Sequence, residues 1–455
     1  MPENSNLRSL LGDAAARGIS YREDGAERDV APSPDAVLAV EGFIEPMPTD
    51  GCADSDVLAM LDEVGSPATV MMTGPRYFGF VIGGSLPVTV ASNWLTTAWD
   101  QNVGMHEVTP ATSTLERVAM NWMIDLFGLP KDCAASFVTG ATVANFTALA
   151  AARNRVCADI GWDVEADGLI GAPRITLIVS EETHPTVFKS LGMLGFGRNR
   201  VVKAPVDGQG RIDIDRFPDF EGPTIICTQA GNVNTGAFDP IARICEVAKP
   251  KSAWVHVDGA FGLWAAASPD RAHLCTGLAE ADSFATDAHK WLNVPYDSGI
   301  AFVRDVSALK SAMSITAEYL MTATEFRNPS DFTPELSRRA RGVDVWAALK
   351  SLGRTGVAEM IDRCCRNARR FAEGLSAAGY EILNDVVLNQ VLVSFGDDAA
   401  NREVIDAIQK DGTCWCGVTV WQGRTAMRIS VCNWSTTQDD VDRSLAAIIR
   451  IAKSR

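Results

Sequence analysis

Thr286-Asp287-Ala288-His289-Lys290-Trp291-Leu292-Asn293 joins two apolar runs, residues 281–285 and 298–304, that read as short buried strands. Lysine is rarely buried unless its charge is handled. In a low-dielectric pocket it gives up its proton more easily, and the free amine can attack a carbonyl to form an imine. Taken alone, Ala-His-Lys-Trp is more simply a surface turn. Four strand ends upstream carry a matching set of polar groups, and they decide for the pocket.

Working outward, strands and helices alternate, the pattern of an α/β sheet. Residues 137–138 run into Thr139-Gly140-Ala141-Thr142 and a helix over 143–155. A strand over 175–179 ends in Ser180-Glu181-Glu182-Thr183-His184, and one over 224–228 in Gln229-Ala230-Gly231-Asn232. Another, over 253–257, is closed by Asp258-Gly259-Ala260. In such sheets ligands bind beyond the carboxyl ends of the strands.

Each of these ends suits one part of a single ligand. A helix N-terminus preceded by glycine offers unpaired N–H groups and the favourable end of a dipole to a phosphate. An aspartate closing a buried strand is costly unless paired, and a protonated ring nitrogen would pair it. The His184 imidazole can stack on a planar ring, and Lys290 supplies the imine. Phosphate, pyridinium and aldehyde together describe pyridoxal phosphate, whose recurring protein requirements are an imine lysine and an acidic ring partner.

The order Thr139-Gly140-Ala141-Thr142, Thr183-His184-Pro185-Thr186-Val187, Val255-His256-Val257-Asp258-Gly259-Ala260 and Asp287-Ala288-His289-Lys290-Trp291 resembles the group II pyridoxal-phosphate decarboxylases. These act on aromatic amino acids, glutamate and histidine. The resemblance runs from about Pro75 to the C-terminus and includes Gly236-Ala237-Phe238-Asp239 and Met427-Arg428-Ile429-Ser430-Val431. It implies a fold-type I α/β architecture: a large domain with a mainly parallel seven-stranded sheet between helices, and a smaller C-terminal α+β domain. It implies Lys290 as imine lysine, Asp258 as ring-nitrogen partner, His184 over the cofactor and Ala260 against the ring. Thr139, Gly140, Ala141 and Thr142, with His289, would hold the phosphate. Gln229 would touch the cofactor too, although it stands, with Asn232, near where relatives carry small threonines. Arg428 would meet the substrate carboxylate, which suits guanidinium geometry. The family also implies a homodimer with its active site between subunits.

The chain as a whole is expected to comprise a lead-in over 1–75, a main domain over 76–340 and a C-terminal domain over 341–455. The lead-in carries helical apolar spacing at Leu7, Leu10, Leu11 and Ala14, and a second helix over 54–64, too little for a core. It must dock on the main body or on a partner subunit. Phe78 and Phe80, between glycines, either line an aromatic or apolar substrate pocket or belong to a core. Ser113 and Glu116 predict a capping box opening a helix at Thr114. A hairpin turning at Gln422-Gly423-Arg424 is expected near the end.

Composition narrows the partners. The 455 residues carry a formal charge of −16, with 47% hydrophobic and 22% charged residues. Such a balance argues against nucleic acid and anionic membrane surfaces. No apolar run reaches spanning length and the N-terminus shows no signal-peptide core, so a cytoplasmic enzyme with free thiols is expected. The five histidines include no i, i+4 pair, so no metal is expected. Residues 321–342, where relatives carry a proton-donating tyrosine, hold none. A substrate carbanion would then persist, and some aldehyde is expected beside the amine. Decarboxylation of an L-amino acid leads; aldehyde formation, aminotransfer, carbon–carbon lyase work and non-catalytic cofactor binding are the alternatives.

Overall fold

The structure is a computed structural model and describes residues 7–315 and 326–455. They form an α/β architecture with a large, mostly parallel seven-stranded sheet and a smaller C-terminal antiparallel-sheet domain. By contact density they divide into two compact units. One holds residues 83–369 and 384–391; the other holds the chain up to 82 with 370–383 and 392–455.

The larger unit contains β1 (Ala134–Val138), β2 (Thr176–Ser180), β3 (Val202–Ala204), β4 (Thr224–Gln229), β5 (Trp254–Asp258), β6 (Ser283–Asp287) and β7 (Gly299–Val303). Their order is β1-β7-β6-β5-β4-β2-β3. The run from β6 to β3 is parallel, while β7 lies antiparallel to both β1 and β6. β1, β4, β5, β6 and β7 are buried along their whole length, as expected of strands covered on both faces. Gln229 pairs with Asp258 and Asp258 with Ala285, so these strands stop at nearly one level.

The helix Ala141–Ala158 follows β1. Its Ala144, Ala148, Ala151 and Ala152 are fully buried, and such small side chains bring its axis close to the sheet. Gly299 allows the turn before this helix to pass over β7. A Cβ there would sit 2.4 Å from Gly140 Cα, backbone against backbone.

The helix expected to open at Thr114 spans Pro110–Leu126 instead. Proline fits the first helical position, where its missing N–H costs nothing. The capping box is therefore absent. Ser113 Oγ donates to Thr109 O at 2.7 Å, and Glu116 accepts both of its 2.7 Å bonds from Arg338 Nη2.

In the smaller unit, β8 (Glu381–Ile382), β9 (Gln390–Ser394, whose first two residues group with the other unit), β10 (Gly417–Trp421) and β11 (Arg424–Ser430) form a sheet ordered β10-β11-β9-β8. The hairpin turns at Gln422-Gly423, with Trp421 opposite Arg424. The N-terminal helix Leu7–Asp24 buries no residue, and Leu7, Leu11 and Ile19 stand exposed. No helix of the described residues is long and apolar enough to cross a membrane.

Gly299→Ala should destabilise the protein by about 1–3 kcal/mol, the usual cost of overpacking a tight site. Gly192, on the helix Pro185–Met193, has nothing within 4 Å of its added Cβ. Gly192→Ala should stabilise by about 0.5–1 kcal/mol through helix propensity. Urea denaturation of both variants checks the pair, and an undiminished Gly299→Ala midpoint would refute the close approach.

Candidate active site

The strand ends converge. Gly140, Ala141, Thr142, His184, Gln229, Asp258, Ala260, His289 and Lys290 line one cavity of about 220 Å³, with Thr186, Gly231, Val233, Phe261 and Asp287. Thr139 is not among its walls. Lys290 occupies the turn after β6, and Gly83 lies hard against it. A Cβ on Gly83 would fall 1.7 Å from the Lys290 carbonyl oxygen, so only glycine fits.

Asp258 ends β5 at 6% exposure. Burial pushes its carboxyl above the ordinary range, against the opposing pull of the His184 and Lys290 charges. It accepts from Ala260 N at 3.1 Å and from Asn145 Nδ2 at 3.3 Å. Both bonds favour the ionised form.

His184 caps the helix Pro185–Met193, its Nδ1 accepting from Thr186 N at 3.3 Å and lying 2.7 Å from Thr186 Oγ1. The cap fixes the ring at the cavity wall with Nε2 as its second polar atom. His289 is held by Ser298 N, which donates to its Nδ1 at 3.0 Å. Burial lowers the His289 pKa, so the ring is neutral with its proton on Nε2. Tyr296 stacks on this ring at 4.2 Å between centroids.

Sequence reasoning assigned no role to Asp287, which lies at the centre of the site. Its Oδ2 is 3.0 Å from Lys290 Nζ and 3.6 Å from His289 Nε2. Its Oδ1 accepts from Ala141 N at 2.6 Å, so that first-turn donor is taken. Trp264 Nε1 fixes its carbonyl at 3.0 Å. The signal was available: Asp287, like Asp258, is an acid closing a buried strand. Asn145, at 0% exposure behind Asp258, was likewise passed over.

The three residues expected to meet substrate all lie in the other unit. Phe78 is 1% exposed and packs edge-on against Phe371 at 5.0 Å, within a core. Phe80 is 60% exposed and stacks on Trp415 at 5.8 Å. Arg428 Nη2 donates to Phe80 O at 3.3 Å, so these two residues are neighbours. The stretch read as lacking a phenol, 321–342, begins outside the described residues, as does Tyr319 two positions before it. Among the described residues no cluster of His, Cys, Asp or Glu is arranged for a metal, and no cysteine is disulfide-bonded.

One further feature bears on a cofactor. Gln229 Nε2 is buried at the cavity wall and has no hydrogen-bond partner among the described residues. A buried unpaired amide is costly, and an acceptor in the cavity would relieve it. An amine, a buried acid, a stackable imidazole and a helix N-terminus around this space fit pyridoxal phosphate.

A model of the pyridoxal-dependent decarboxylase conserved domain matches residues 67–396. An aromatic-L-amino-acid decarboxylase of Bacillus atrophaeus is 25% identical over 98% of this chain and 95% of its own. An acidic amino acid decarboxylase of Mus musculus, GADL1, is 30% identical over 69% of this chain and 59% of its own. Among solved structures, Oryza sativa TDC with PLP and tryptamine superposes with a TM-score of 0.91 at 22% identity, covering 100% of this chain and 99% of that one. Rhodiola rosea 4-hydroxyphenylacetaldehyde synthase gives 0.87 at 21% identity, covering 100% and 99%. With a family model spanning well over half its length, the chain belongs to the pyridoxal-phosphate-dependent decarboxylases.

Proposed function

We propose that this protein decarboxylates an L-amino acid, with an aromatic or apolar side chain favoured. The observation that carries the reading is the convergence of Lys290, Asp258, His184 and the helix N-terminus at Ala141 on one cavity. Lys290 would bond the cofactor's carbonyl carbon, Asp258 would meet its ring nitrogen, and His184 and Ala260 would enclose the ring. The N-terminus at Thr139, Gly140, Ala141 and Thr142 would receive the phosphate together with His289, and Gln229 would give its unpaired amide. When bound, the cofactor supplies an electron sink for bond cleavage at the substrate's Cα.

The chain's own groups then have distinct tasks. Asp258 would keep a proton on the cofactor's ring nitrogen. Asp287 Oδ2, 3.0 Å from Lys290 Nζ, would hold that side chain in place at the cavity wall. Arg428 would receive the substrate carboxylate, orienting it for loss. The aromatic preference is supported by the Phe80–Trp415 pair beside Arg428 and by the net charge of −16, which does not draw acidic substrates. A homodimer is supported by the N-terminal helix, which buries nothing of its own and presents Leu7, Leu11 and Ile19 for a partner. We place the enzyme in the cytoplasm.

A second reading, aldehyde formation, is favoured by the absence of tyrosine from residues 321–342 and by the solved aldehyde synthase of similar fold. Tyr319 weighs against it. A phenol two positions before that stretch would serve the same purpose wherever it reaches substrate, and its O–H would deliver the proton to Cα.

Four measurements bear on these readings. Borohydride should fix cofactor covalently to the wild-type protein at Lys290, and Lys290→Ala should retain none after denaturation. Covalent label elsewhere would refute the lysine assignment. A panel of amino acids should yield carbon dioxide and amine for at least one aromatic member. Tyr319→Phe should slow amine formation by about 10²–10⁴-fold, the usual worth of a general acid, while aldehyde and oxygen uptake appear. Aldehyde as the main wild-type product would establish the second reading, and an unaffected variant would remove Tyr319 from the first. Finally, removal of residues 1–60 should abolish the dimer in light scattering; an active monomer would overturn that assembly.

A further inference from the structure

Behind Asp258 lies a chain of polar groups that the proposed chemistry does not use. Trp254, His256 and Asp258 alternate along β5, so their side chains share one face of the sheet. Ser283 on β6 is the direct register partner of His256. Asn145, one turn into the helix Ala141–Ala158, faces them from above. Trp254 Nε1 lies 2.8 Å from Ser283 Oγ, which lies 2.9 Å from His256 Nδ1. His256 Nε2 is 2.8 Å from Asn145 Oδ1, and Asn145 Nδ2 is 3.3 Å from Asp258 Oδ2. His256, Asn145 and Ser283 are each 0% exposed.

The direction of every bond follows from its neighbours. Asp258 as a carboxylate only accepts, so Asn145 must turn its NH₂ towards it. The Asn145 carbonyl then faces His256, which must donate from Nε2. Burial pulls the His256 pKa down to about 3, so the ring is neutral and carries that single proton. Its Nδ1 is therefore an acceptor and takes the Ser283 hydroxyl proton. Ser283 Oγ in turn accepts from Trp254, whose indole can only donate. Every group is satisfied, and all the hydrogen bonds run towards the carboxylate. Such a buried chain polarises cooperatively, and it is costly to interrupt.

We propose that Trp254, Ser283, His256 and Asn145 form a one-way hydrogen-bond relay that sets the orientation and charge of Asp258, with Asn145 and His256 as positioning residues. The inference rests on the reading that Asp258 meets the cofactor's ring nitrogen. The donated Asn145 proton offsets the burial that would otherwise neutralise the carboxyl. It also occupies Oδ2, while Ala260 N occupies Oδ1, so the plane of the carboxylate is fixed before any ligand arrives. Without the relay, Asp258 rotates or takes up a proton, and its hold on a ring proton weakens.

The test compares holoenzyme of the wild type with Asn145→Leu, His256→Leu, His256→Gln and Ser283→Ala. Readouts are the pyridoxal phosphate dissociation constant, the pH profile of the bound cofactor's absorbance, and kcat and KM for an accepted amino acid. Asn145→Leu should lower kcat by about 10–100-fold, the worth of a hydrogen bond to a buried charge, leave KM within about twofold, and shift the absorbance profile. His256→Leu should act in the same direction. His256→Gln should recover to within about threefold of wild type, because its amide can donate to Asn145 and accept from Ser283. Ser283→Ala removes one hydroxyl from the far end, so it should fold and show a smaller loss of about threefold. Should Asn145→Leu fail to fold, Ser283→Ala and the two His256 variants decide. Wild-type absorbance and kcat in Ser283→Ala and Asn145→Leu would overturn the relay, as would His256→Gln performing no better than His256→Leu. A wild-type protein that traps no cofactor on Lys290 would overturn the cofactor reading and this inference with it.

Discussion

The site depends on keeping a charged carboxylate, Asp258, 6% exposed at the end of β5. Burial opposes that charge, and the fold answers with groups from four places in the chain. Ala260 donates from the following turn and Asn145 from the helix above, while the Lys290 and His184 charges act through space. Each requires a feature of the architecture. The helix reaches β5 closely because it faces the sheet with alanines, and its first turn passes over β7 because Gly299 leaves room. Parallel pairing of β4, β5 and β6 brings Gln229, Asp258 and Asp287 to one edge. The chemistry is thus a consequence of where the strands stop.

Two acids stand in this cavity, and their surroundings divide the labour between them. Among the described residues Asp258 receives hydrogen bonds only from neutral donors, which leaves its charge available to a cation in the cavity. Asp287 is already committed to Lys290 Nζ and to the Ala141 N–H. One acid therefore suits a protonated ring, and the other suits holding the lysine and the helix N-terminus in place. This separation of roles by environment is how similar groups come to act differently at one pH.

Much of this was legible in the sequence because it depends on local pattern. Apolar runs ending in Gly, Asp or His mark strand ends, and Lys290, His289, Asp258, His184 and the turn at Gly140 meet at one cavity. The hairpin at Gln422-Gly423 also follows from turn chemistry alone. What was not legible depends on tertiary partners. Glu116 reads as a cap residue, yet Arg338, far along the chain, takes its carboxylate. Asn145 looks like an ordinary helix residue until the helix is laid on β5. Phe78 and Phe80, two positions apart, read alike and would share one face of an extended segment; one is core and the other exposed, because Phe80 takes a left-handed φ of 52° that breaks the alternation.

The central claim is that Asp258 holds a proton on the cofactor's ring nitrogen. Nitrogen NMR of the protein loaded with pyridoxal phosphate labelled at that ring position measures this directly. The account predicts a pyridinium shift that persists through neutral pH in the wild type and gives way to the free-pyridine value in Asp258→Ala. A free-pyridine shift in the wild-type enzyme, or a pyridinium shift that survives loss of Asp258, would contradict it.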